Sequence, residues 1–202
     1  MRFPFAIFIA ALAFTSATAE ARRRSVTEDI ATSSVDPAKE AIETRLSRVP
    51  ATGMVEIAFA PLPQRSAERL VIRLIDAGET SVFIAAYQMT SKPIADALCR
   101  AAQRGVAVSA VLDMRSNPHG DGNSKRDYLI SCGVDARADQ RYPIMHDKFI
   151  VVDSKHVETG SFNYTFAAAE RNAENAIVLW NNGDMAKRYE MEFDRLFAEA
   201  WD

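Results

Sequence analysis

Phe149-Ile150-Val151-Val152 is an apolar run with no polar residue to turn toward water. Successive side chains of a strand point to opposite faces, so a strand built from this run is apolar on both. Such a strand belongs inside a sheet that is covered on both sides. The pattern recurs in Val82-Phe83-Ile84-Ala85-Ala86-Tyr87, in residues 106–112 and in Ala176-Ile177-Val178-Leu179-Trp180. Residues 54–59 alternate in polarity and read as a further strand, and residues 134–138 as another.

Helical patterns separate these runs. Ser66 is a candidate cap for a helix reaching about Ala77, with Leu70, Val71, Leu74 and Ile75 on one stripe and Gly78 as its stop. Ser91 and Pro93 open a second helix that stops at Gly105. A short helix over 124–132 ends at Gly133, and another lies near 166–171. Asp184 is a candidate cap for a last helix with Met185, Tyr189, Phe193, Leu196, Phe197 and Ala200 on one face. Residues 117–123 are a loop by composition. Strands alternating with helices predict an α/β sandwich, a mixed and mostly buried β-sheet flanked by helices. At 202 residues, 48% hydrophobic and 25% charged, the chain holds enough apolar surface for one such domain.

The buried run is entered through His146-Asp147-Lys148. In an extended backbone His146 and Lys148 project the same way. A histidine and a lysine at the mouth of a buried strand need a reason. One lies further on, where Asp153 is followed by Gly160, Ser161 and Asn163. Together these residues form H-x-K-x4-D-x6-G-S-x-N. At average residue usage a chance match is on the order of one in a million, so the spacing is read as functional. Other histidines lack such company, and His119 and His156 are read as ordinary surface or core residues, with a weak exception for His119 in its loop.

The pattern resembles the signature of the phospholipase D superfamily, and in particular its small secreted bacterial endonucleases of the Nuc type. In those, G-S-F-N-[YF]-T is followed by an alanine-rich helix, an E-N pair and an apolar strand. Here the same order runs through residues 160–165, Ala167-Ala168-Ala169, Glu174-Asn175 and 176–180. The likeness covers about residues 53–202. It implies a phosphodiesterase in which His146 is the nucleophile and Lys148, with Ser161 and Asn163, binds the phosphate. Glu174 matches the glutamate that hydrogen-bonds and orients the catalytic histidine. Asp153 and Gly160 are assigned structural roles. A neutral imidazole can attack phosphorus and split one displacement into two. A fixed ammonium and amide and hydroxyl donors hold the phosphate charge. This chemistry needs no metal and no cofactor, and the acidic residues form no pattern like a two-metal site.

The reaction also needs an acid for the leaving oxygen and a base for water. Superfamily members usually supply two histidines from two motifs, and this chain has one motif. The resemblance therefore implies a twofold homodimer in which His146 meets its copy. Nucleic acid is the expected substrate. Arg100, Arg104, Arg115, Lys125, Arg126 and Arg141 either line a groove for it or are scattered surface charge. The alternative is a lipid phosphodiesterase of the phospholipase D type. A binding protein that keeps the fold without catalysis is disfavoured because every motif residue is present.

The N-terminal segment is set apart. Arg2, the apolar residues 3–14 and Ala17-Thr18-Ala19 predict a signal peptide over 1–19, cut after Ala19, with an uncleaved anchor as the competing reading. Residues 20–52, with Arg22-Arg23-Arg24 and a possible short helix over 38–46, read as a polar tether. The expected location is secreted, in a bacterial periplasm, with no stable membrane insertion after cleavage. Removing Arg2 makes the net charge of −3 one unit more negative, which argues against a protein that coats nucleic acid. Cys99 and Cys132 are able to pair in such a compartment; two separate buried thiols is the reading favoured.

Overall fold

The computed structural model describes residues 53–61 and 65–201; the expected signal segment and tether, 1–19 and 20–52, lie outside them. The strands are β1 (Val55–Ala60), β2 (Ser81–Ala86), β3 (Ala107–Asp113), β4 (Asp135–Asp139), β5 (Lys148–Val152), β6 (His156–Gly160) and β7 (Glu174–Leu179). The helices are α1 (Ser66–Asp76), α2 (Lys92–Gln103), α3 (Arg126–Ser131), α4 (Phe166–Glu170) and α5 (Gly183–Glu199). The strands form one sheet in the order β1-β7-β6-β5-β2-β3-β4. The pairs β2–β3 and β3–β4 are parallel and the other four antiparallel. The sheet is mixed, as expected.

β5 is central, and all five of its residues are buried. Ile150 and Val152 pack with α1 and α2 residues such as Leu74 and Leu98. Phe149 and Val151 pack with Phe193 and Leu196 of α5. The run that is apolar on both faces thus lies between two helical layers.

Several local expectations change. β6 was not foreseen, because His156, Glu158 and Thr159 interrupt its apolar pattern. Its polar groups are met inside the fold: His156 Nδ1 accepts from Asn181 N at 2.9 Å and its ring meets Trp180, while Tyr164 donates to Glu158 at 2.7 Å. His156 is a core residue, one of the two ordinary readings given to it. Ser66 does not cap α1; its hydroxyl donates to the Phe59 carbonyl, and Arg65 takes the cap position with φ 52°. Asn182, rather than Asp184, caps α5 by accepting from Met185 N. Ser91 caps α2 as expected.

The cysteines correct the favoured reading of separate thiols. Cys99 and Cys132 form a disulfide with Cα atoms 5.6 Å apart. α2 and the C-terminus of α3 lie side by side over one face of the sheet, the neighbouring helices on which the sequence already placed the two cysteines.

Candidate active site

The topology gathers one set of strand ends. Ala86 pairs with Lys148, so the C-terminus of β2 lies beside the start of β5. Thr159 pairs with Phe149 and Gly160 with Ala176, which brings the end of β6 and the start of β7 to the same edge. His146, Lys148, Ser161, Asn163 and Glu174 are therefore grouped there, in chain segments just outside the sheet or at its last residues. The C-termini of the parallel strands β2, β3 and β4 point the same way, toward the edge where α/β sheets bind ligands.

His146 sits one residue outside the ladder, and both neighbours are pinned. Asp113, at the end of β3, accepts from Met145 N at 3.0 Å, and the Asp147 carbonyl accepts from Tyr87 N at 3.0 Å. The exposed imidazole lies against the ring of Tyr87, with centroids 4.7 Å apart and planes at 56°. Lys148 is buried, and its ammonium donates to the His146 carbonyl at 2.7 Å and stands 5.5 Å from the Tyr87 ring centroid. Burial pushes this ammonium below its usual range, while Asp147 and Glu174 pull it back up. Asp147 is itself held above the usual carboxylate range, first by burial and then by Glu192.

Ser161 donates to Glu174 Oε2 at 2.6 Å and accepts from Asn175 N at 3.0 Å. Asn172 donates to the other Glu174 oxygen at 3.1 Å. The Asn163 amide oxygen is buried without a hydrogen-bond partner. The Asn175 carbonyl takes the N–H groups of both Ser161 and Phe162. A Cβ on Gly160 would overlap that carbonyl, so the motif glycine is required by the close passage of β7.

Two expectations shift. Within one chain the Glu174 carboxylate is taken by Ser161 and Asn172; the expected bond to His146 is not made among the described residues. Asp153 lies at the opposite end of β5 from His146, away from the grouped residues, where strand alternation had placed it only on the opposite face. It accepts from Glu79 N, Thr80 N, Thr80 Oγ1 and Ser81 N, which ties β5 to the start of β2.

Of the two readings of the basic residues, scattered charge fits most of them. α2 runs from the site edge back across the sheet, so Arg100 and Arg104 end at the far edge, bonded to Asp76 and to the Gly78 carbonyl. Arg126 is buried, and Arg141 pairs with Glu199 at 3.6 Å. Arg115 bonds the Pro143 carbonyl and Lys125 the Gly122 carbonyl, both in loops on the site side of the sheet. His119 pairs with Asp127 in its exposed loop.

Tyr87 was missed. Its signal was faint: an aromatic residue with a polar tip closing an apolar run at a strand's C-terminus. Asn117 supports it by donating to the Tyr87 carbonyl at 2.8 Å and accepting from Met89 N.

This geometry can be set against known proteins. The family model described as "Cardiolipin synthase, PLD-like domain" matches residues 71–197. The chain belongs to the phospholipase D superfamily. A relative in this superfamily named phospholipase D, from Rickettsia felis, is 39% identical over 127 residues, covering 63% of this chain and 62% of the relative. The mitochondrial cardiolipin hydrolase of Xenopus laevis is 35% identical over 141 residues, 69% of this chain and 65% of that protein. The match thus spans less than two thirds of these relatives. Among solved structures, the phospholipase D family member Nuc from Salmonella typhimurium superposes with a TM-score of 0.70 at 38% identity, covering 74% of this chain and 97% of Nuc. NucT from Helicobacter pylori, 24% identical with a TM-score of 0.66, shares the fold. The α/β architecture is that of phospholipase D-like domains. Among the described residues no helix is long and apolar enough to cross a membrane, and no group of three His, Cys, Asp or Glu side chains is placed to hold a metal ion.

Proposed function

We propose that the chain is a metal-independent phosphodiesterase that cleaves nucleic acid internally, through a phosphohistidine on His146, in the active site of a homodimer. The observation that carries this reading is the grouping of His146, Lys148, Ser161, Asn163 and Glu174 at one sheet edge, with a single motif histidine to serve a reaction that needs two. The likeness of residues 53–202 to Nuc-type endonucleases supports the nucleic-acid substrate, as does the cover of 97% of Nuc's length.

In the first step a ring nitrogen of neutral His146 attacks phosphorus. The N–P bond forms, the P–O bond to the leaving nucleoside breaks, and the partner's protonated His146 gives its proton to that oxygen. In the second step water attacks phosphorus, its proton returns to the partner's imidazole, and the N–P bond breaks. Lys148 and the Asn163 amide stabilise the charge on the phosphate oxygens. The buried Asn163 amide oxygen is an acceptor without a partner, which is consistent with a donor supplied by the second chain. Glu174, preset by Ser161 and Asn172, orients a catalytic histidine. One histidine neutral and one protonated gives a bell-shaped pH dependence.

The test is cleavage of single- and double-stranded DNA in excess chelator. Cleavage abolished by His146→Ala supports the reading; no cleavage, or full activity of the variant, overturns it. Light scattering under assay conditions should give a dimer, and a fully active monomer would contradict the shared site.

A second reading has one specific support, the relatives named phospholipase D and cardiolipin hydrolase. On it, the same site hydrolyses or transfers phosphatidyl groups. Mass spectrometry of phosphatidylcholine and cardiolipin after incubation separates the two.

The proposal places the domain at 53–202 behind a cleaved signal peptide over 1–19 and a tether over 20–52, exported to a periplasm. The Cys99–Cys132 disulfide supports an oxidising compartment. N-terminal sequencing of the exported protein should begin at Glu20.

A further inference from the structure

Phe166 is half exposed, at 50%, although it directly follows the motif segment that ends at Thr165. Two guanidinium groups flank its ring: Arg65 at 5.4 Å and Arg171 at 5.7 Å from the centroid. Arg65 is also held by Glu68 and Glu170, and Arg171 is exposed. The ring lies three residues after Asn163 and the second arginine three residues before Glu174. Three residues span at most about 11 Å, so the cluster stands beside the proposed catalytic edge.

We propose that Phe166, Arg65 and Arg171 form a subsite for single-stranded nucleic acid, in which a base next to the cleaved bond stacks on Phe166 and the arginines take its flanking phosphates. This rests on the nucleic-acid reading and specifies how that substrate is held. An exposed aromatic face between cations is the recurring arrangement of sequence-tolerant strand binding. The arginines already lie against the ring and so pre-orient it, and an incoming phosphate can compete with Glu170 for Arg65. A lipid surface fits less well. Interfacial anchors present broad apolar faces, whereas here a single exposed ring is surrounded by Arg65, Glu170 and Arg171.

Binding is measured in a His146→Ala background with a labelled oligothymidylate of about 20 nucleotides, long enough to cover one site. Phe166→Leu, which keeps apolar bulk without a π face, should raise Kd about tenfold, the size of one base–aromatic stack. Phe166→Tyr should restore it. Arg171→Gln should lower the slope of log Kd against log salt by about 0.7, one phosphate contact on a single strand. Thermal melting of each variant checks that the fold is retained. If the otherwise unchanged chain cleaves the oligonucleotide but Phe166→Leu and Arg171→Gln bind it as the background does, the subsite is wrong and the nucleic-acid reading stands. If Phe166→Leu instead weakens binding to cardiolipin-containing vesicles, the occupant is lipid and the subsite is overturned. If the chain neither binds nor cleaves the oligonucleotide, both fall together.

Discussion

Asp153 belongs to the motif yet sits at the wrong end of β5 for chemistry. It is seven residues from His146, which in extended chain is about 23 Å. Its carboxylate accepts from Glu79 N at 3.0 Å, Thr80 N at 2.7 Å, Thr80 Oγ1 at 2.8 Å and Ser81 N at 3.0 Å. These bonds hold the turn between α1 and β2, and their backbone donors lower the carboxyl below its ordinary range even though burial alone would raise it. Asp153→Asn removes the charge and one acceptor oxygen but tolerates the residue's φ of 54°. A hydrogen bond to a charged group is worth about 1.5–3 kcal/mol. The site is partly open to water, which replaces some of that, so a net loss of about 2–3 kcal/mol is expected. Asp153→Ala removes both acceptor oxygens and the local polar bonding that lets Asp or Asn occupy the left-handed region, so it should cost more than Asp153→Asn. Urea unfolding at fixed protein concentration measures both. Because the folded-state pKa is lowered, this stabilisation is full above the unfolded value of 3.8 and fades as pH falls through the folded value. The gap between the parent chain and Asp153→Asn should therefore close below about pH 4. Turnover per folded molecule should change little. A hundredfold loss of kcat at unchanged stability would refute the structural assignment.

Three further outcomes follow from the geometry. Replacing Cys99 and Cys132 by alanine opens a loop of 33 residues, which chain entropy values at about 4 kcal/mol; calorimetry should show a melting temperature lower by on the order of 10 °C. Glu158 is fully buried against Tyr164, and burial lifts its carboxyl from 4.5 to about 8. The fold favours the protonated form, so its contribution is full below about 4.5 and lost as pH rises through 8; Glu158→Gln should flatten the stability profile between these limits in urea titrations. Tyr87→Ala removes the ring that holds both His146 and Lys148 and should lower kcat by about 10- to 100-fold, whereas Tyr87→Phe keeps the ring and most of the activity.

The frame of the fold was legible because β5, β2 and β3 are apolar on both faces, a pattern only a covered sheet satisfies. β6 was not, because Glu158 and His156 look like surface residues until Tyr164 and Trp180 are brought to them by the chain's return. The grouping of His146, Lys148, Ser161, Asn163 and Glu174 was legible from the motif spacing and the superfamily resemblance, without β6 being foreseen. What spacing could not convey was direction across the sheet. α2 carries Arg100 and Arg104 away from the site edge. It also carries Cys99 toward Cys132, a meeting fixed by helix packing. Tyr87 was hidden within an apolar run, and its role depends on the antiparallel pairing of β2 with β5. Glu174 was expected to hold the catalytic histidine, but within the chain its hydrogen bonds go to Ser161 and Asn172.

The central claim is that His146 attacks a nucleic-acid phosphodiester. It is tested most directly by quenching the reaction with an oligonucleotide in excess chelator and mapping the protein by mass spectrometry. An acid-labile nucleotidyl adduct is expected on the peptide containing His146, and none in His146→Ala. Cleavage with no adduct under rapid quench, or an adduct on another residue, would contradict it.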